Sequence, residues 1–212
     1  MYKGLAVFSL AKGMNPDEVW KYYIETHAAY FKNVAIQKKI PGQKKYVLNR
    51  VIKASGEMSF WAMAEQWYDS EEAYDKFRSV AGFPKDDFGS MIGVVHGASV
   101  EEKVIIEGGT QDTYKHVSLL SVAKGKDPDE VWKYWIDPHA ANHKNVPGIK
   151  RYVLNRVIKT RGEFPFWGMA ETWYDSEEAY NRPSTVTIPK DDFPSMIGKE
   201  RITAWLEEKV IV

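Results

Sequence analysis

Chemistry in this chain would have to start from a helix face that carries an imidazole among large rings. His27 lies seven residues after Trp20 and four after Tyr23, so on a helix of about 3.6 residues per turn the three side chains share one face. An imidazole with an ordinary pKa of about 6.5 can move a proton to or from a hydroxyl or a carbon acid. The competing role is a helix-end histidine satisfied by a backbone carbonyl. The same pattern returns as Trp132, Trp135 and His139, except that Pro138 stands where the first run has Thr26, and proline disturbs a helix interior. The two sites are therefore expected to differ in geometry.

Tyr46 and Tyr152 each follow a Pro-Gly pair at the entrance to a strand, where a phenol can polarise a carbonyl or simply pack with its hydroxyl in water. Asn49 and Asn155, three residues on, fall on the opposite strand face unless a bulge intervenes. In the next strand Phe60, Ala62, Ala64 and Gln66 should share a face with room for a ligand, matched by Phe166, Gly168, Ala170 and Thr172. Trp61, Met63, Glu65 and Trp67 make the opposite face, which is expected to pack beneath helices. Glu65 and Glu171 would then be partly buried, either as structural hydrogen-bond acceptors or as acids of raised pKa. The expected catalytic residues are thus His27, His139, Tyr46 and Tyr152. The expected ligand contacts are Trp20, Trp132, Tyr23, Trp135, Asn49, Asn155, Gln66 and Thr172.

Other polar runs have simpler readings. His139 and His143 are spaced to meet one metal ion on an intact helix, but no third ligand stands nearby and Phe31 replaces His143 in the first copy, so no metal site is expected. His96 and His116 have no counterpart histidines and suit solvated or structural roles. DSEEAY reads as a helix start and PKDDF as a turn, neither needing a ligand.

A duplication positions all of these residues. Lys12 to Val34 is matched from Lys124 at an offset of 112, and Phe60 to Tyr74 from Phe166 at an offset of 106. The difference is taken up by the extra residues Ala35 to Ile40, expected to form a loop. A period of domain size implies a core in each copy, residues 1–107 and 113–212, joined by a polar linker from Glu107 to Asp112. Each copy reads β-α-β-β-α-β: a first strand, a helix capped by Asn15-Pro16 or Asp127-Pro128, a hairpin, a second helix and a last strand. That order is a ferredoxin-like α+β domain with both helices on one sheet face. Two such domains can bury their bare faces against each other as an intramolecular barrel.

Composition narrows the classes further. The chain has 212 residues, 29 Lys and Arg against 29 Asp and Glu, and no Cys. The balance removes the positive field that would draw it to nucleic acid or an acidic membrane. Lack of cysteine excludes thiol chemistry and disulfides. The first apolar run is too short to span a bilayer, so a cytoplasmic protein is expected.

The motifs W-x-x-Y-x-x-x-H (Trp20, Tyr23, His27), P-G-x-x-x-Y-x-x-N (Pro41, Gly42, Tyr46, Asn49) and A-E-x-W-Y-D-S-E-E-A (Ala64 to Ala73), each returning in the second copy with Trp135 in place of Tyr23, resemble the EthD-like branch of the dimeric α+β barrel superfamily. The second set is Trp132, Trp135, His139, Pro147, Gly148, Tyr152, Asn155 and Ala170 to Ala179. The resemblance implies a homodimer-like barrel with one cavity per sheet for a small, partly apolar molecule. Relatives include lactone isomerases and tailoring enzymes of polyketides and pigments, so fold kinship does not choose a task. The leading expectation is an enzyme of isomerase, lyase or tailoring type that needs no cofactor and uses histidine acid/base chemistry on an aromatic, lactone or polyketide-like compound. The alternative is a non-catalytic binding protein for a small hydrophobic molecule or haem. Either leaves room for a further homodimer.

Overall fold

A computed structural model describes residues 1–37, 42–55, 60–81, 86–144, 146–181 and 190–212. The first copy contains β1 (Tyr2–Leu10), α1 (Pro16–Tyr22), a π-helical turn (Tyr23–Ala28), α2 (Ala29–Gln37), β2 (Gln43–Ser55), β3 (Ala62–Tyr68), α3 (Glu71–Ala81), α4 (Phe88–Met91) and β4 (Ile92–Ile106). The second repeats the order with β5 (Tyr114–Val122), α5 (Pro128–Tyr134), a π-helical turn (Trp135–His139), β6 (Ile149–Arg161), β7 (Gly168–Tyr174), α6 (Glu177–Asn181), α7 (Phe193–Met196) and β8 (Ile197–Val210).

The strands close into one antiparallel barrel in the order β1-β3-β2-β8-β5-β7-β6-β4. Each copy supplies four neighbouring strands, and the seams are β2 with β8 and β4 with β6. Closure removes every free sheet edge and buries the faces that would otherwise lie bare. The fold is therefore the expected pair of ferredoxin-like repeats forming an intramolecular barrel.

Local chemistry starts and stops the elements. Asn15 accepts from the backbone N–H groups of Asp17 and Glu18 at 2.9 and 3.3 Å, and Asp127 from those of Asp129 and Glu130 at 2.8 and 3.0 Å. Each cap satisfies two of the helix's orphan donors, and proline follows at the position where its missing N–H costs nothing. Gly42 and Gly148 enter β2 and β6 at φ +105° and +87°, and a Cβ there would come within 2.6 and 2.9 Å of the Ala73 and Ala179 methyls. Both the turn and the close approach of the following helix demand glycine.

Two expectations about the chain path are corrected. The extra residues of the first copy do not begin as a loop: Ala35 to Gln37 continue α2, and Lys38 to Ile40 lie outside the described residues. On β3, alternation holds only from Ala62 onward. Phe60 faces the barrel interior with Leu5 and Met63, whereas Trp61 packs under the helices with Trp20. The strand's pairing begins at Ala62, and the irregular backbone before it reverses the two residues.

The face of Met63, Glu65 and Trp67 was expected beneath the helices and instead points into the barrel. Inside, Leu5, Val7, Met63, Val117, Leu119 and Met169 form an apolar core. Beside it lies a fully buried quartet of charges, Lys3, Glu65, Lys115 and Glu171. Lys3 Nζ is 2.7 Å from Glu65 and 2.5 Å from Glu171, and Lys115 Nζ is 2.6 Å from Glu65 and 2.8 Å from Glu171. Each lysine thus bridges a carboxylate of its own copy and one of the other. Burial alone would depress both ammonium pKa values, but Glu171 and Glu65 outweigh it and hold them above the ordinary lysine range. Asn49 and Asn155 donate to Glu65 and Glu171 at 2.8 Å each, so the structural role of these glutamates is what the geometry displays.

Candidate functional site

Two clefts lie outside the barrel, between each four-stranded sheet and its helices. Gly4, Ala6, Phe8, Ala64 and Gln66 form part of the floor of the first, and Tyr23, His27, Phe31, Tyr74, Arg78 and Phe88 part of its walls; its volume is about 570 Å³. The second, about 310 Å³, includes His116, Ser118, Trp135, His139, His143, Tyr152, Thr172, Tyr180 and Arg201. Cavities of this size suit small molecules.

Each cleft holds an imidazole backed by a carboxylate. His27 Nδ1 stands 2.9 Å from Asp86 Oδ2, and His139 Nδ1 2.8 Å from Asp191 Oδ2. The histidines project from the π-helical turns. Such turns carry one extra residue per turn and often mark functional sites. In the second copy the turn also accommodates Pro138, which explains why the dyad distances agree despite that residue. Phe88 packs against His27 with the rings tilted by 30° and centroids 4.2 Å apart, and Phe193 stacks on His139 at 4.1 Å.

Burial lowers the pKa of His27 and outweighs the opposing pull of Asp86; His139 is lowered in the same way, with His143 adding to the effect. At neutral pH the imidazoles are therefore neutral, Nδ1–H donates to the carboxylate, and Nε2 is left as an acceptor. Among the described residues none hydrogen-bonds Nε2 of His27. Burial holds the Tyr46 and Tyr152 phenols well above their usual range, so both stay protonated.

Of the residues expected from the sequence, His27, Tyr23, Tyr46 and Gln66 meet in the first cleft, and His139, Trp135, Tyr152 and Thr172 in the second. Trp20 and Trp132 do not line either. They pack edge-on against Trp61 and Trp167 beneath the helices, at 6.1 and 6.2 Å. Asn49 and Asn155 lie inside the barrel, on the face away from the tyrosines as period two requires. Asp86 and Asp191 were missed because PKDDF reads locally as a turn. Its repetition beside a repeated histidine was the available signal.

The copies differ where their clefts differ. Trp135 replaces Tyr23, and Gly168 replaces Ala62 to admit it, since a Cβ on Gly168 would lie 2.6 Å from the indole. His116 occupies the place of Gly4: both pair with the matching residue of the adjacent strand, Thr172 and Gln66. The His116 ring stacks on Tyr180 at 5.2 Å and lies 4.4 Å from Trp205, filling space that Gly4 leaves open. Burial and then Arg201 push its pKa down to about 4. A histidine whose folded pKa lies below its unfolded value of about 6.5 binds its proton better unfolded. The melting temperature is thus expected to fall as pH drops from about 6.5 toward about 4, and His116→Phe should flatten that slope in pH-resolved thermal unfolding.

Comparison with known proteins agrees with this architecture. The structure is similar over 99% of its length to an anthrone oxidase-like protein, of which 93% is covered, with a TM-score of 0.66 and 15% identity. The chain has the dimeric α+β barrel fold. A candidate monooxygenase from Lactobacillus acidophilus matches 99% of this barrel and is itself 94% covered, with a TM-score of 0.59 and 12% identity. A mutant chlorite dismutase from Candidatus Nitrospira defluvii, in complex with cyanide, matches 97% and is 90% covered, with a TM-score of 0.53 and 10% identity. An EthD domain model matches residues 123–182 of the barrel's second copy. No curated protein matches by sequence.

Identities this low establish the fold alone. Even so, the activities named among these structures are those of a monooxygenase and a chlorite dismutase, which stand closer to the alternative expectation, a protein that binds a small hydrophobic molecule or haem, than to catalysis without a cofactor. The leading expectation, an enzyme that needs no cofactor, is thereby overturned. Among the described residues no helix is long and apolar enough to cross a membrane, and no cluster of three or more metal-binding side chains occurs.

Proposed function

We propose that the protein binds a small aromatic molecule in the first cleft, with a hydroxyl of the ligand held by His27. The observation that carries this reading is the His27 imidazole, anchored by Asp86 at 2.9 Å inside a cleft walled by rings; burial lowers its pKa, which leaves an acceptor nitrogen at neutral pH. Phe8, Tyr23, Phe31 and Phe88 supply ring faces, Tyr46 a protonated phenol and Gln66 an amide. Aromatic walls with a few placed polar groups are the usual construction of such sites. The EthD-like branch of the superfamily is the assignment we favour, on the repeated motifs and the partial domain match.

A second reading is haem. An imidazole whose Nδ1–H is tied to a carboxylate is built like a metal-ligating histidine, and Nε2, which no described residue hydrogen-bonds, fits that use. His27 would hold the iron while the cleft's rings cover the macrocycle, and haem would supply redox chemistry.

Thermal-shift titrations with 2-naphthol and 2-methoxynaphthalene test the first reading, because the ether cannot donate to Nε2. 2-Naphthol is expected to bind about fivefold more tightly, the value of roughly one net hydrogen bond, and His27→Leu should abolish the difference. No stabilisation by either probe, or a preference unchanged in His27→Leu, would sink it. A Soret band on haem addition, lost in His27→Leu, would favour the second reading.

A further inference from the structure

The second cleft carries two imidazoles side by side where the first carries one. His139 and His143 both line it, with ring centroids 4.8 Å apart. In the first copy Phe31 stands in the place of His143, 5.2 Å from His27. Nδ1 of each ring of the pair is already committed. His139 Nδ1 stands 2.8 Å from the Asp191 carboxylate, which also accepts from Asn142 at 3.1 Å. His143 Nδ1 stands 3.1 Å from the backbone carbonyl of His139. A carbonyl oxygen can only accept, so that nitrogen carries the proton, and Nε2 of the neutral ring is an acceptor.

Among the described residues none hydrogen-bonds Nε2 of either ring. The surroundings of the pair are aromatic: Phe193 stacks on His139 at 4.1 Å, and the Tyr152 ring lies 5.4 Å from His143. His116 and Tyr180 stack across the part of the cleft that Gly4 leaves open in the first copy, and the volume of about 310 Å³ that remains suits one ring rather than two. A metal ion also uses adjacent lone pairs, yet protein metal centres draw three or four ligands from side chains, and no group of three occurs among the described residues. Two hydrogen-bond donors on one small ring are the better match.

We propose that the second cleft is a separate site for a single-ring aromatic with two adjacent hydroxyls, a catechol, one hydroxyl donating to His139 Nε2 and the other to His143 Nε2. Each donor then meets an acceptor whose tautomer is fixed beforehand, so binding costs little rearrangement. A simple phenol leaves one of the two acceptors without a donor, and a 2-methoxyphenol sets against it an ether oxygen that cannot donate. The first cleft, with Phe31 in place of the second imidazole, has no reason to prefer a catechol. The two clefts share no lining residue among those described, so this site stands independently of the ligand read for the first.

Imidazole nitrogen NMR spectra of the full chain, titrated under argon with catechol, phenol and 2-methoxyphenol at about pH 8, above the ordinary histidine range, read each histidine separately. Catechol should move the Nε2 resonances of His139 and His143 together, and bind there about fivefold more tightly than either single-hydroxyl probe, the worth of roughly one net hydrogen bond. In His143→Phe, which installs the first copy's residue, that preference should fall to unity at His139 while phenol keeps its affinity. His143→Leu serves as the second variant, and the same loss is required of it should the phenylalanine fail to fold. Equal affinities in the wild type, a catechol preference that survives both substitutions, shifts confined to His27, or no shift at His139 and His143 would each overturn the proposal. None of those results bears on naphthol binding at His27, which is judged by its own titration.

Discussion

Lys115→Met is expected to lower the free energy of unfolding by about 3–5 kcal/mol, the usual cost of removing one partner from a buried ion pair. Lys115 is almost wholly excluded from solvent and touches Glu65 and Glu171 at 2.6 and 2.8 Å. Without its ammonium, two carboxylates share one remaining lysine inside the barrel, and burial together with repulsion from Glu171 already raises the pKa of Glu65. Lys3→Met should behave alike, because Lys3 makes the mirror-image contacts. Replacing all four charged residues by apolar ones of similar volume should cost less than either single substitution, because the only carboxylates then left without a lysine are Glu102 and Glu208, each 3.2 Å from a lysine of the quartet and partly open to solvent. Urea denaturation of the single and quadruple variants decides the matter: a loss below about 1 kcal/mol for Lys115→Met would show that water or local rearrangement reaches the quartet.

Because each lysine joins carboxylates of both copies, the quartet also ties the halves in register.

The second large effect concerns the unequal clefts. Gly4→His places in the first cleft the side chain that already occupies the second, and its Cβ alone would stand 3.0 Å from the Tyr74 ring. Naphthol binding to the first cleft should fall by about 100-fold or more, as expected when a ring-sized pocket is filled. His116→Gly makes the converse change and should enlarge the second cleft. A chain carrying both substitutions is expected to keep one binding event per molecule, whose preference for 2-naphthol over 2-methoxynaphthalene is now lost in His139→Leu rather than in His27→Leu. Calorimetric stoichiometry and affinity report both quantities, and unchanged binding in Gly4→His would show that the ligand lies elsewhere.

Much of the architecture was legible because it is written in local signals, twice. The caps at Asn15 and Asp127, the Pro-Gly turns and the alternation of β2 each depend on neighbouring residues in sequence. The repeat disclosed that any solution for one copy must serve the other. Alternation also placed Tyr46 and Asn49 on opposite faces, which is where they lie. It failed at Phe60 and Trp61, because a period of two holds only while the backbone stays in its ladder.

The site was half legible. His27 and Tyr23 could be paired from helical spacing, and Tyr46 and Gln66 from strand position. Asp86 comes 59 residues after its imidazole, and no periodicity links the two. The assignment of Trp20 as a ligand contact rested on a shared helix face. Yet that face is wider than the cleft, and packing against Trp61 claims its outer edge.

By itself, then, the sequence determined the order of elements, their ends, the duplication and which residues alternate to each face, since all of these follow from interactions between residues close in the chain. Only the tertiary structure decided which face became the barrel interior and which the cleft wall. It also decided that four charges meet at the centre, that Asp86 reaches His27, and that Arg161 crosses into the other copy's cleft. Those outcomes depend on barrel closure, which brings together strands far apart in sequence, and the free energy of such contacts is set by burial and geometry that no local pattern encodes.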